Sequence, residues 1–178
     1  MKYLVLSDLH GSKFFAEKIK KIIVKENPDN IILLGDLYYH GPRNALPKDY
    51  APMEVCNILN TFKEKIIACK GNCDAEVDEM ISEFKFNESV INKICNKSLM
   101  FTHGHKHNIE NLPKDIDVLI YGHFHTGFIK QKDNVICVNA GSVSLPKENT
   151  ANSYVLIEDN ILYLKDLYNN VIDKITFA

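Results

Sequence analysis

The sequence predicts an α/β fold of two facing, mixed β-sheets with helices outside, and three observations carry that prediction. The first half alternates strand and helix patterns in the order βαβαβ, which implies parallel strands covered by helices. The second half is a series of short apolar runs joined by hairpin-turn residues, almost without helical periodicity. No internal repeat, low-complexity segment or linker divides the 178 residues, a length that fits one domain spanning 1–178.

In order along the chain, residues 2–7 read as a buried strand. Residues 13–26 place Phe14, Ile19, Ile22 and Ile23 at helical spacing and stop before Pro28. Ile31-Ile32-Leu33-Leu34 is a second buried strand, followed by a loop containing Gly41, Pro42 and Pro47. Residues 53–62 predict a helix through Met53, Val55, Cys56, Ile58, Leu59 and Phe62, and Ile66-Ile67-Ala68-Cys69 a third strand. Beyond it, strands are expected near 89–95, 98–103, 117–121, 127–131, 134–138, 153–158 and 161–165. Asn96-Lys97, Asp133-Asn134 and Asp159-Asn160 read as turns. A last strand is expected within 166–178, with Val171, Ile172, Ile175 and Phe177 available for burial.

Composition sets limits on function. The chain is 46% hydrophobic and 25% charged, ordinary for a globular protein. Net charge is −2 and no basic run stands apart from acidic neighbours, which argues against a dedicated nucleic-acid surface. The N-terminal segment lacks the pattern of a signal peptide, and the apolar runs are too short to span a bilayer. A cytoplasmic protein without membrane attachment is expected. The five cysteines are odd in number and scattered, so no disulfide framework is predicted. Cys56, Cys69, Cys95 and Cys137 lie in apolar stretches and read as small core residues.

Residues able to bind metal follow the strands, and nearly all stand beside a glycine. The series is Asp8-Leu9-His10-Gly11, Gly35-Asp36, Gly71-Asn72-Cys73-Asp74, Thr102-His103-Gly104-His105 and Gly122-His123-Phe124-His125. In an open α/β sheet the carboxyl ends of parallel strands form one rim where ligands bind, so these residues are expected to converge. Carboxylate, amide and imidazole donors together suit a divalent transition metal.

The ordered set D-x-H, G-D, G-N-x-D, H and G-H-x-H resembles the calcineurin-like metallophosphoesterase family, from Asp8 to about Pro146. Each block alone is weak; the order is specific. Within the family the chain is most similar to the small bacterial YfcE-type phosphodiesterases. Gly35-Asp36 with His40-Gly41-Pro42-Arg43-Asn44, Gly71-Asn72-Cys73-Asp74 and Asn139-Ala140-Gly141-Ser142-Val143-Ser144-Leu145-Pro146 carry that likeness. The resemblance implies a four-layer αββα sandwich and two metal positions. The first would hold Asp8, His10, Asp36 and His125, the second Asp36, Asn72, His103 and His123, with Asp36 bridging. The metals expected are two divalent ions, Mn²⁺ first, with Fe, Zn²⁺, Ni²⁺, Co²⁺ or Mg²⁺ as alternatives. Two such ions about 3.5–4 Å apart share and acidify one solvent molecule, whose hydroxide attacks phosphorus in line. The expected substrate is a small phosphodiester or other phosphate ester.

The catalytic expectation falls on Asp36, Asn72, Cys73 and Asp74. In many relatives a histidine stands at position 73, where it protonates the leaving oxygen or contacts phosphate, and the following acid orients it. Cys73 is a weaker donor, with an ordinary thiol pKa of about 8–9. This predicts a dependence on good leaving groups. His40 and Arg43 on the loop after Asp36, and His105 beside His103, are expected to face substrate. His107 is expected at the surface. Asn139 and Ser142 either support the histidine loops or shape a turn, and Tyr38 and Tyr39 either pack or stack on substrate. Phosphomonoesterase, nucleotide phosphatase or nuclease action would use the same metal site. A non-catalytic scaffold, like the retromer subunit sharing this fold, is the alternative from another class. Whether the loop 38–52 covers the cleft or meets another subunit in a homo-oligomer stays open.

Overall fold

A computed structural model describes residues 1–177. The strands and helices in chain order are β1 (Lys2–Leu6), α1 (Lys13–Glu26), β2 (Asn30–Leu33), α2 (Pro52–Asn60), β3 (Ile66–Cys69), α3 (Glu76–Ile81), β4 (Phe86–Asn87), β5 (Ser89–Ile94), β6 (Lys97–Thr102), β7 (Val118–Tyr121), β8 (Phe128–Lys132), β9 (Val135–Asn139), β10 (Ser153–Glu158), β11 (Ile161–Asp166) and β12 (Val171–Thr176). Seven strands form one sheet in the order β12-β11-β10-β1-β2-β3-β4, and five form the other in the order β5-β6-β7-β9-β8. β1, β2, β3 and β4 run parallel, as do β6, β7 and β9; the remaining pairs are antiparallel. Both sheets are mixed, as the sequence predicts.

Local chemistry explains the helix limits. Ser12 caps α1 by accepting from the Phe15 N–H, and the helix ends at Asn27 in the left-handed region just before Pro28. Pro52 starts α2, where its missing N–H costs nothing. α3 has six residues, three of them acidic in the first turn, so no apolar period announces it in the sequence.

Side-chain alternation sorts the core into layers. Leu4, Leu6, Ile31 and Leu33 face α1 and α2, packing on Ile19, Ile22, Val55 and Leu59. Tyr3, Val5, Ile32 and Leu34 face the second sheet through Leu99, Phe101, Val118 and Ile120. The outer face of the second sheet, with Met100, Leu119, Tyr121 and Cys137, is covered by Ile109, Leu112 and Ile116. Those three belong to the connection between β6 and β7, so among the described residues the fourth layer is loop rather than helix. No helix among them is long and apolar enough to cross a membrane.

Three expectations need correction. Cys95 is exposed, because it forms the β5–β6 turn with Asn96, both at positive φ. That also moves the turn one residue before Asn96-Lys97. Val171 and Ile172 remain about half exposed on β12, an edge strand, while Ile175 is partly buried and Phe177, just after the strand, is buried.

Candidate metal centre

The carboxyl ends of β1, β2, β3, β6 and β7 meet at one rim and bring together Asp8, His10, Asp36, Asn72, His103, His123 and His125. Five of them, Asp8, His10, Asp36, His123 and His125, have φ between 50 and 67°. Left-handed backbone is uncommon outside glycine and strains each residue that adopts it. Here it turns successive side chains inward directly after a strand. Two glycines make the crowding possible. A Cβ on Gly71 would strike the Asp36 carboxylate, and one on Gly122 would strike Ser7 and Asp8.

Hydrogen bonds fix which nitrogen of each imidazole faces in. Nδ1 of His10 donates to the Tyr39 carbonyl at 2.8 Å, His103 to Leu34 at 2.9 Å, and His125 to Leu145 at 2.6 Å. Their Nε2 lone pairs therefore point into the cleft. His10 Nε2 then lies 3.1 Å from His125 Nε2, and His103 Nε2 lies 3.0 Å from Asn72 Oδ1, acceptor against acceptor. Asp8 Oδ2 accepts from Ser7 Oγ and the His123 N–H, but its Oδ1 is buried with no partner. That oxygen sits 3.5 Å from His10 Nε2 and 3.3 Å from His125 Nε2. Asp36 Oδ1 accepts from the Cys73 N–H at 2.8 Å. Its Oδ2 stands between the two imidazole groups, 3.8 Å from His10 and 3.4 Å from His103.

With neutral imidazoles these contacts set acceptor against acceptor, which a proton or a metal ion must relieve. Three groups have donor atoms within 4.8 Å of each other: Asp8, His10 and His125; Asp8, Asp36 and His103; and His10, Asp36 and Cys73. Tying the second imidazole nitrogen to a carbonyl is also how metal-binding histidines are oriented. The residues present therefore fit divalent metal.

The electrostatics of these residues point the same way. Burial alone would raise the Asp8 carboxyl, but His10 and His125 outweigh it and hold it well below its usual range. Burial opposes charge on His103 too, yet the bond to Asp36 and the charges of Asp8 and Asp36 lift it to about 9. His123, partly buried and facing His103, drops to about 4. The buried carboxylates of Asp8 and Asp36 favour positive charge among them, and both His10 and His103 are shifted toward their protonated forms.

The remaining predicted residues divide. Asp74 does not face the cleft. Its carboxylate accepts from the backbone N–H groups of Asp36 (2.8 Å), Leu37 (2.9 Å) and Gly71 (2.7 Å), locking the Asp36 loop to the Asn72 loop. Burial raises it to about 6. Cys73 lines the cleft, and burial together with Asp36 pushes its thiol up to about 12. Arg43 lines it too. The His40 ring packs edge-on against Tyr39 and Tyr50, at 4.8 and 5.3 Å, beside the residues that line the cleft. His105 stands 5.5 Å from His103, ring to ring, but opens onto a neighbouring groove with Lys70 and Lys106. His107 is half-buried. Tyr38 packs, bonding Ser82 at 2.7 Å, whereas Tyr39 is exposed at the cleft. Asn139 and Ser142 both brace the site: Asn139 donates to the Gly122 carbonyl and Ser142 to the Asp8 carbonyl, each at 2.8 Å.

Sequence reasoning missed Ser144, which also donates to the Asp8 carbonyl, at 2.9 Å. It also missed Phe124 and Lys147, which line the cleft of about 820 Å³. Phe124 carried a signal, since it separates the two histidines of one block; Lys147 carried none.

Comparison with known proteins agrees with this geometry. The profile of the Calcineurin-like phosphoesterase superfamily domain matches residues 1–160. The chain is 39% identical over 165 residues to phosphodiesterase YfcE of Escherichia coli K12, covering 91% of this chain and 90% of the relative. The solved structure of the E. coli YfcE phosphoesterase superposes with a TM-score of 0.96 at 36% identity, covering all of both chains. Vps29 of Chaetomium thermophilum superposes with a TM-score of 0.68 at 17% identity, covering 100% of this chain and 98% of that one, a likeness of fold alone. Metal-ligand geometry, a profile match over most of the length and a relative of this identity agree: the chain belongs to the calcineurin-like phosphoesterase superfamily.

Proposed function

We propose that this chain is a dinuclear-metal phosphodiesterase that hydrolyses small phosphodiesters. The observation that carries the reading is the cluster of inward acceptors around the unpartnered Asp8 Oδ1, in a chain similar over most of its length to a phosphodiesterase. Asp8, His10, Asp36 and His125 hold the first metal, and Asp36, Asn72, His103 and His123 the second. Mn²⁺ is the metal we assign first, because an oxygen- and nitrogen-rich set suits it. Bound divalent ions supply Lewis-acid activation of water and neutralise charge on the phosphoryl oxygens.

The chain's own residues do the rest. Arg43 and Lys147, both lining the cleft, attract the anionic ester that a net charge of −2 would not. Exposed Tyr39 and Phe124 form apolar walls for the ester's substituents. Cys73 presents a protonated thiol where an imidazolium would serve better, so leaving groups must depart with little help. Asp74 positions Asp36 through the backbone. β11 and β12 complete the first sheet beyond the profile match, which supports treating 1–178 as one catalytic unit. Five unpaired thiols support a cytoplasmic setting.

The test is hydrolysis of a chromogenic aryl phosphodiester and the matching monoester with Mn²⁺, comparing wild type with Asp36→Asn and His123→Ala. The diester should be cleaved faster, and both variants should lose about 10³-fold or more, the several kcal/mol that metal charge stabilisation contributes. Equal rates in all three proteins would refute the assigned site. Absence of wild-type activity with every divalent metal would favour the scaffold.

A further inference from the structure

We propose that Cys73 is a conditional ligand of the first metal position, drawn in by thiophilic ions such as Zn²⁺ or Cd²⁺ and left aside by Mn²⁺. The inference rests on the metal site assigned above. Its basis is the third donor group: His10 Nε2, an Asp36 oxygen and Cys73 Sγ lie within 4.8 Å of one another. The Cys73 N–H donates to Asp36 Oδ1 at 2.8 Å, which fixes the residue beside that carboxylate. Its sulfur is half-buried at the cleft wall, accepting from Asn72 Nδ2 at 3.4 Å. A second observation points to a cation at the same place. The fully buried Asp8 Oδ1 has no partner and is aimed at His10 Nε2 from 3.5 Å.

Ligand softness then separates the metals. Thiolate and imidazole suit tetrahedral Zn²⁺, whereas Mn²⁺ prefers oxygen-rich sets of higher coordination number. When a soft ion binds, the S–H bond breaks, the proton leaves to solvent and a sulfur–metal bond forms, with no change of oxidation state. Because Cys73 lines the cleft, that bond would take up a coordination position open to substrate. A soft-metal form is therefore capped and slow, and a Mn²⁺ form stays open. A histidine at this position would have no comparable preference for soft ions.

The test uses manganese-loaded protein carrying Cys95→Ser. This removes the one exposed thiol, which lies at the opposite end of β6 from His103. Titration with Cd²⁺ should produce an ultraviolet thiolate-to-metal charge-transfer band. Cys73→Ser and Cys73→Ala should abolish the band, lower Cd²⁺ and Zn²⁺ affinity by about tenfold or more, and change Mn²⁺ affinity by less than about twofold. A band that survives Cys73→Ser overturns the proposal. So does the lack of a band in a parent protein whose Cd²⁺ binding is lost in Asp36→Asn, although the site assignment then stands. Cd²⁺ binding that is unchanged in Asp36→Asn would instead refute the site assignment itself.

Discussion

At the floor of the cleft, Asp8, His10, Asp36, His103 and His125 are buried, and each has a second polar atom fixed by the surrounding protein. At its mouth, Tyr39, Arg43, Phe124 and Lys147 are exposed side chains on loops. The floor is preorganised: backbone in the left-handed region aims the donors, and carbonyls fix the imidazoles. The mouth is free to adapt to what it meets. The contrast separates two kinds of perturbation. Changes to the floor should alter stability and metal content, while changes to the mouth should alter which ester is cleaved.

Asp74 gives the largest test of the floor, because it acts only through backbone. Asp74→Ala leaves the N–H groups of Asp36, Leu37 and Gly71 without their acceptor. At about 1–3 kcal/mol per buried unsatisfied group, stability should fall by about 3 kcal/mol or more, and metal content should fall with it. Urea unfolding and metal analysis check both. A loss under about 1 kcal/mol would mean that water replaces the carboxylate and that the floor is held less tightly than three hydrogen bonds imply.

The floor should also make metal uptake depend on pH. In the metal-free protein His103 is raised to about 9. Its proton therefore contributes stability fully below its unfolded value of about 6.5, and that contribution is lost as pH rises through 9. A metal ion must displace the same proton. Between those limits apparent Mn²⁺ affinity should rise by up to about tenfold per pH unit. Equilibrium dialysis from pH 6.5 to 9 measures this, and a flat profile would remove His103 from the ligand set.

The same contrast governs what is legible in the sequence. Asp8, Asp36, Asn72, His103, His123 and His125 each lie at or just after the end of an apolar strand, and Asp36, Asn72, His103 and His123 adjoin a glycine, so strand-end logic gathers them from residue order alone. The left-handed φ of five donors leaves no trace beyond those glycines, because it depends on how both sheets close over the rim. At the mouth, sequence proximity says less. His40 is four residues from Asp36, and its packing between two tyrosine rings is not visible in the residue order. Cys95 directly follows Ile94 at the end of an expected strand but occupies a turn. The fourth layer is hidden for a related reason: Ile109, Leu112 and Ile116 cover the second sheet without forming a helix.

Cys73 lies on the border between floor and mouth, so it should affect both rate and selectivity. Burial beside Asp36 raises its thiol to about 12, which makes it a poor proton donor. Cys73→His should speed cleavage of alkyl diesters by about tenfold or more, the lower part of the range for general acid catalysis, and aryl diesters by less. An equal gain for both would place the effect on phosphate binding instead of on the leaving oxygen.

Phe124 tests the mouth most gently. Phe124 is 43% exposed, its ring edge-on to His123 at 5.2 Å and to Tyr121 at 6.2 Å, and it lines the cleft where a substituent of the ester would lie. An aromatic pair contributes about 0.5–1.5 kcal/mol beyond area burial. Contact of this kind is made equally in the ground and transition states, because the ring is remote from the bond that breaks. Phe124→Ala should therefore raise KM for aryl diesters by about fivefold with kcat unchanged, and leave dimethyl phosphate unaffected. A fall in kcat with no change in KM would mean that Phe124 acts through His123, as part of the floor, and the boundary between floor and mouth would then lie one residue further out.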